Sequence, residues 1–186
     1  MHGRVQADRV GKILKGGHIA SGNRIESVHQ GEEGVYTLII SVRIPLRQKV
    51  GRLGSFRFSR GLYLYTGSAL GPGGLNRRIG RHFGHRKSRF WHIDYLLASG
   101  DVRVELAICA TTHEHMECRI NKSLEMHFKI QAKGFGSSDC VESCISHLLR
   151  SGIRSKAQLC DVVFNAYKRS GLRPTLYSPR SNSRYT

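Results

Sequence analysis

The sequence predicts an α+β fold, a small and mainly antiparallel three-stranded sheet flanked by helices. Three observations carry that expectation. From Gly34 to Ile44 the run GVYTLIISVRI is rich in β-branched and aromatic residues, with Tyr36, Leu38, Ile40, Val42 and Ile44 alternating along one face. VRVELAICA at 102–110 alternates in the same way. Between them Leu75, Ile79 and Phe83 recur every four residues, the spacing of a buried stripe on a short helix.

The remaining elements follow in chain order. Residues 1–33 hold many glycines and one helical pattern at 4–15. After the first strand, the basic stretch 45–60 reads as a long connection with room for a further short strand, and GLYLYTG at 61–67 as the hairpin partner. SALGPGG at 68–74 is a loop by its Gly and Pro content. Helices are expected at 92–99, at about 114–128, at about Asp139 to Leu149 and at 156–169. The tail LRPTLYSPRSNSRYT lacks the apolar content to order itself. This gives an N-terminal extension over 1–33, a core over 34–150 and a basic extension over 151–186 whose end, from about 172, is expected to be disordered. A chain of 186 residues with 39% apolar residues suits one domain with such extensions.

Charge narrows the function. The formal net charge is +17, which points to a polyanionic partner. Residues 34–93 contain twelve Lys and Arg and no acid, whereas a merely soluble surface intersperses both signs, so this block is the expected phosphate-facing surface. Binding there would be electrostatic and salt-sensitive. No apolar run suits a membrane span, and the start MHGRVQADRV has no apolar core for a secretory signal. Five cysteines without the regular spacing of a disulfide scaffold fit a reducing compartment, so the reading expects a cytoplasmic, nucleoid-associated protein with no membrane partner.

Gly34-Val35-Tyr36 and, twenty-nine residues on, Tyr65-Thr66-Gly67 are followed by a helix carrying Arg78-Ile79-Gly80-Arg81-His82. Together these resemble the GIY-YIG nuclease superfamily. YTGSALGPGGLNRRIGRHF, KSRFWHIDYLL, Glu117-Cys118 and GFGSSDC before SHLL resemble its short archaeal and bacterial subfamily, which also occurs fused to endonuclease III type repair proteins. The resemblance covers about 34–150. It implies a metal-dependent endonuclease acting on DNA, with base-excision repair proteins as possible partners.

The residues themselves allow that chemistry. Arg78 and His82 lie four apart and share a helix face, where a guanidinium can hold a phosphate oxygen through paired hydrogen bonds. By the resemblance, Tyr36 is the base that takes a proton from water and Tyr65 positions water or phosphate beside it. Each tyrosine is also a natural core residue of a strand. Lys87 would sit near the scissile phosphate and His92 would relay a proton, unless His92 caps its helix. Glu117 would hold one divalent cation, Mg²⁺ or Mn²⁺, since a hard cation needs only a carboxylate, waters and substrate phosphate. Glu114 and Glu125 remain alternatives. Arg77, Arg81, Arg86 and Arg89 are expected on flanking phosphates, and Phe90 and Trp91 on a base, with the core an equal alternative for Trp91.

The usual superfamily Asn after the Glu helix has no clear counterpart: Asn121 falls on that helix, and Ser137, Ser138 or Asp139 would replace it unless they cap the next one. Cys140, Cys144 and His147 at i, i+4 and i+7 read as one helical face that Cys118 can join. Four such ligands suit zinc, but buried thiols or a disulfide are the plainer reading. The rivals to a nuclease are a non-catalytic DNA or RNA binder on the same fold and a ribosome-associated basic protein.

Overall fold

The computed structural model describes residues 25–26, 31–84 and 88–177. The helix expected at 4–15 lies outside the described residues, as do Arg86 and Lys87.

A two-residue strand β1 (Ile25–Glu26) precedes the long strand β2 (Gly34–Val42). A separate hairpin follows, β3 (Leu46–Val50) and β4 (Gly54–Phe58), which fills most of the expected connection. Strand β5 (Gly61–Ser68) then returns along β2, pairing Tyr36 with Gly67 and Leu38 with Tyr65. Helices α1 (Gly74–Phe83) and α2 (His92–Leu97) lead to β6 (Val102–Thr111). The chain continues through α3 (Glu117–Glu125), β7 (Lys129–Ile130), β8 (Leu148–Arg150), α4 (Lys156–Arg169) and β9 (Thr175–Tyr177).

The mixed α+β character holds, but the sheet has seven strands in the order β1-β9-β6-β2-β5-β8-β7 and not three. The three expected strands are its long antiparallel centre. The four additions are only two or three residues long, too short to leave a period-2 signature. Among the described residues, only β1 and β9 pair in parallel.

Side chains alternate across this sheet, and both faces are covered. Tyr36, Leu38, Ile40 and Val42 pack with Leu75 and Ile79 of α1 and Ile93 and Leu96 of α2. Val35 and Ile39 point the other way, towards Ile120 and Leu124 of α3 and Leu159, Val163 and Phe164 of α4. Each fully buried aliphatic side chain contributes about 1.5–3 kcal/mol, so α4 is a structural layer and not an appendage. The region after 150 is therefore part of the core: Leu176 and Tyr177 are also buried, at 1% and 3% exposure. Residues 178–186 lie outside the described residues.

Other boundaries also shift. Ile44 stands beyond the end of β2 and is exposed. Phe83 is only partly buried and stacks on Tyr177. Residues 139–149 form turns and then β8, not a helix. Among the described residues, no helix is long and apolar enough to cross a membrane.

Candidate active site

The two glycines of the paired triplets have steric causes. A Cβ at Gly34 would collide with the carbonyl oxygen of Ala110 on β6 and with Leu75 of α1. A Cβ at Gly67 would lie 2.6 Å from Tyr36 Oη, so the bare backbone of β5 is what lets the phenol lie flat across its neighbour. Gly67→Ala is expected to cost about 1–3 kcal/mol through this overlap and to displace the Tyr36 hydroxyl. A thermal melt reads the first effect and the Tyr36–His82 contact in a crystal structure the second; an unchanged melt and contact would contradict it.

Tyr36 Oη lies 2.9 Å from Nε2 of His82, forty-six residues away on α1. His82 is buried, not on the solvent side of the helix, and its ring also meets Tyr65 edge-on at 6.4 Å and Trp91 at 6.1 Å. Burial, reinforced by the neighbouring Tyr65, pushes the Tyr36 phenol well above its ordinary range, and the Arg78 guanidinium opposes the shift. Tyr65 is raised by burial and by Asp94, again against Arg78. Neither phenol ionises at neutral pH without added positive charge.

Trp91 forms a platform and not an open stacking surface. Arg78 lies over its ring at 4.8 Å and Arg81 at 4.4 Å. Arg81 was expected on a phosphate, but its guanidinium grips the buried carboxylate of Asp94 with bonds of 2.8 and 2.9 Å and donates to the Ser88 carbonyl. Asp94 also accepts from the backbone N–H groups of Phe90 and Trp91. Burial works against the Asp94 charge, but Arg81 and these backbone donors outweigh it and hold the carboxyl below its usual range. Arg81 thus fixes the entry to α2 and leaves Arg78 facing the cleft. Arg77 and Arg89 are exposed, and Arg89 lies 5.8 Å from the Tyr95 ring. The aromatic presented to solvent is Phe90, 77% exposed and edge-on to Trp91.

The opposite wall comes from α3 and the turns before β8. Glu117 opens α3, where a carboxylate also suits the positive end of the helix. Its Oε1 is 3.5 Å from His115 Nδ1, and its Oε2 is buried with no hydrogen-bond partner among the described residues. His92 Nδ1 accepts the Gly136 N–H at 3.0 Å, which leaves the Nε2 position of the neutral ring as the donor. The N-cap of α2 is Trp91, whose backbone N–H donates to the Asp94 carboxylate, so His92 does not cap the helix. Asn121 is buried and donates to Glu125 and to the Ser146 carbonyl, a structural role that also occupies Glu125. Ser138 and Asp139 line the cleft; with no helix after them, they cap none.

Tyr36, Tyr65, Arg78, His92 and Glu117 therefore share one cleft of about 590 Å³. A larger groove of about 1000 Å³ lies at the other end of β2 and β5, lined by Arg43, Arg60, Arg150 and Arg154. Its one carboxylate, Glu105, is engaged by Ser41 and Lys156, and no phenol or cysteine lines it, so the smaller cleft is the candidate for chemistry. Beside the cleft, Cys118, Cys140, Cys144 and His147 converge, their ligand atoms all within 4.8 Å of one another, a set able to hold a metal ion.

A family model described as "Domain of unknown function DUF123" matches residues 35–171. The chain belongs to the DUF123 family. The DUF123 match begins in β2 and runs through the whole of α4, leaving β1 and the buried β9 outside it. No curated protein and no solved structure shows a significant match to this DUF123 chain.

Proposed function

We propose that the protein is a metal-dependent endonuclease of the GIY-YIG kind that hydrolyses DNA phosphodiester bonds in repair. The observation that carries this reading is the convergence of Tyr36, Tyr65, Arg78, His92 and Glu117, drawn from five separate elements, on one cleft. Of the basic block, the exposed Arg77 and Arg89 supply a cationic approach for the DNA backbone, whereas Arg43 and Arg60 lie at the other end of the sheet.

The donor set at Glu117 fits Mg²⁺ or Mn²⁺. A buried carboxylate oxygen without a partner is costly unless a cation or water completes it, and hard cations of this kind take one carboxylate plus waters and phosphate. Such an ion, when bound, supplies Lewis-acid charge to the phosphate oxygens.

The chain's own groups do the rest. Tyr36 Oη, once its own proton has passed to the adjacent His82 Nε2 at 2.9 Å and on to solvent, takes the proton of the attacking water. Arg78, held by the Trp91 face, offsets charge that builds on the phosphate. His92 donates from Nε2, and Tyr65 orders water or phosphate beside Tyr36.

The preferred substrate is DNA with an abasic site. A cleft this small, bordered by one exposed aromatic ring and several phosphate-reading cations, has little means to read a long sequence. It can instead select a backbone that bends easily, and an abasic nucleotide has already lost its stacking partner. The test compares matched duplexes with and without one abasic site in Mg²⁺. Faster cleavage of the abasic duplex is expected; equal rates reject lesion preference, and breakage persisting in chelator through an amine-linked intermediate indicates a lyase.

A further inference from the structure

The segment from Gln131 to His147 has no helix or strand of its own, yet it forms one wall of the cleft. A loop of that length inside a compact domain needs something to fix it. Phe135, 0% exposed, anchors its first half in the core, but over 140–147 the apolar side chains face outward: Val141 is 95% exposed and Ile145 50% exposed. The side chains turned inward there are Ser146, whose hydroxyl is engaged by backbone groups of Gln131 and Leu148, together with Cys144 and His147, with exposures of 8% and 5%, and the half-buried Cys140. Burial driven by hydrophobicity alone would turn Val141 and Ile145 inward and leave the imidazole in water. The orientation is that of a ligand loop.

The fourth group comes from α3. Cys118 Sγ is 3.2 Å from Cys140 Sγ and 3.7 Å from His147 Nε2. A tetrahedral zinc ion, with bonds of about 2.3 Å to sulfur and about 2.0 Å to nitrogen, places its ligand atoms roughly 3.5–3.8 Å apart. The four ligand atoms here lie within 4.8 Å of one another, near that spacing. A Cys118–Cys140 disulfide would need the two sulfurs about 1 Å closer and would give Cys144 and His147 no reason to converge on them.

We propose that Cys118, Cys140, Cys144 and His147 bind one Zn²⁺ ion in a closed, four-ligand structural site. Thiolate and imidazole ligands select such an ion over the hard cation suited to Glu117. On binding, the three thiol protons leave to solvent, so the site carries three thiolates and a neutral imidazole.

The ion staples the loop to the sheet and to α3. The His147 carbonyl accepts the Thr66 N–H of β5, and the Phe135 ring packs edge-on against Tyr65. Gly136 donates to His92, and Cys118 is adjacent to Glu117. The metal thereby braces the wall that faces Tyr36. The site stands whether or not the cleft cuts DNA.

The test is the metal content of the full chain, purified under reducing conditions without chelator. About one zinc per chain is expected, and replacement by Co²⁺ should give the thiolate charge-transfer bands and intense visible bands of a tetrahedral sulfur-rich site. Cys140→Ser and Cys144→Ser should weaken zinc retention by more than about a hundredfold, the upper range for losing only an outer partner of a ligand. Cys160→Ala, a buried thiol of α4 outside the cluster, and Glu117→Gln should keep the zinc. A reduced parent protein that takes up neither zinc nor cobalt would overturn the proposal, and this reading needs no variant to fold. A cobalt spectrum without thiolate bands, or zinc lost equally in Cys160→Ala, would do the same.

Discussion

Glu117→Gln should lower DNA cleavage by at least about a thousandfold, comparable to removing a central electrostatic group from a catalytic site, while DNA binding persists. The change keeps the size of the side chain and removes its charge. In the parent, Oε2 is buried with no hydrogen-bond partner among the described residues, so relief of that buried charge should offset the lost Oε1–His115 contact, and the variant should melt near the parent temperature. Cleavage rates at saturating Mn²⁺, a binding isotherm and a melt separate the three effects. Full cleavage by the variant would remove Glu117 from the chemistry. Glu125 is then a poor substitute, because Asn121 already holds it at 2.7 Å, two turns along the helix, and it does not line the cleft.

Tyr36→Phe should reduce the cleavage rate by about a hundred- to ten-thousandfold, the usual range for losing a general base, with a stability cost near 1 kcal/mol for the lost bond to His82. The ring and its packing over Gly67 remain. The pH dependence adds a second readout. A base works only when deprotonated, and burial raises the Tyr36 phenol in the free protein. The parent rate should therefore climb with pH, about tenfold per unit below the pKa that applies with DNA and metal bound. The residual rate of Tyr36→Phe should be flat over the same interval. A variant that cuts as fast as the parent would make Tyr36 a packing residue.

The central sheet and α1 were legible because their signals are local. Alternation over nine or ten residues and a four-residue apolar recurrence need no tertiary help to be read. The edge strands were not, since two or three residues carry no period and their pairing is fixed by the chain around them. The segment after Asp139 misled for a specific reason: Val141, Ile145, Leu148 and Leu149 mimic helical spacing, but two of them face solvent and two enter β8. Reading that stretch as a helix also made the cysteines look like core thiols. In the cleft, the triplets and Arg78 could be found by pattern. The bond from His82 to Tyr36 and the capture of Arg81 by Asp94 depend on which side of α1 meets the sheet, which spacing alone does not give. Phe90 overtook Trp91 as the exposed ring for the same reason, because two guanidinium groups cover the indole.

The most direct test of the nuclease account is relaxation of supercoiled plasmid by the purified full chain, with Mg²⁺ or Mn²⁺ and with excess chelator. The account predicts nicked circles with either metal, none with chelator, and none from Tyr36→Phe prepared in parallel. DNA binding without any metal-dependent nicking, on intact or abasic plasmid alike, would contradict it and leave a nucleic-acid binder built on the same cleft.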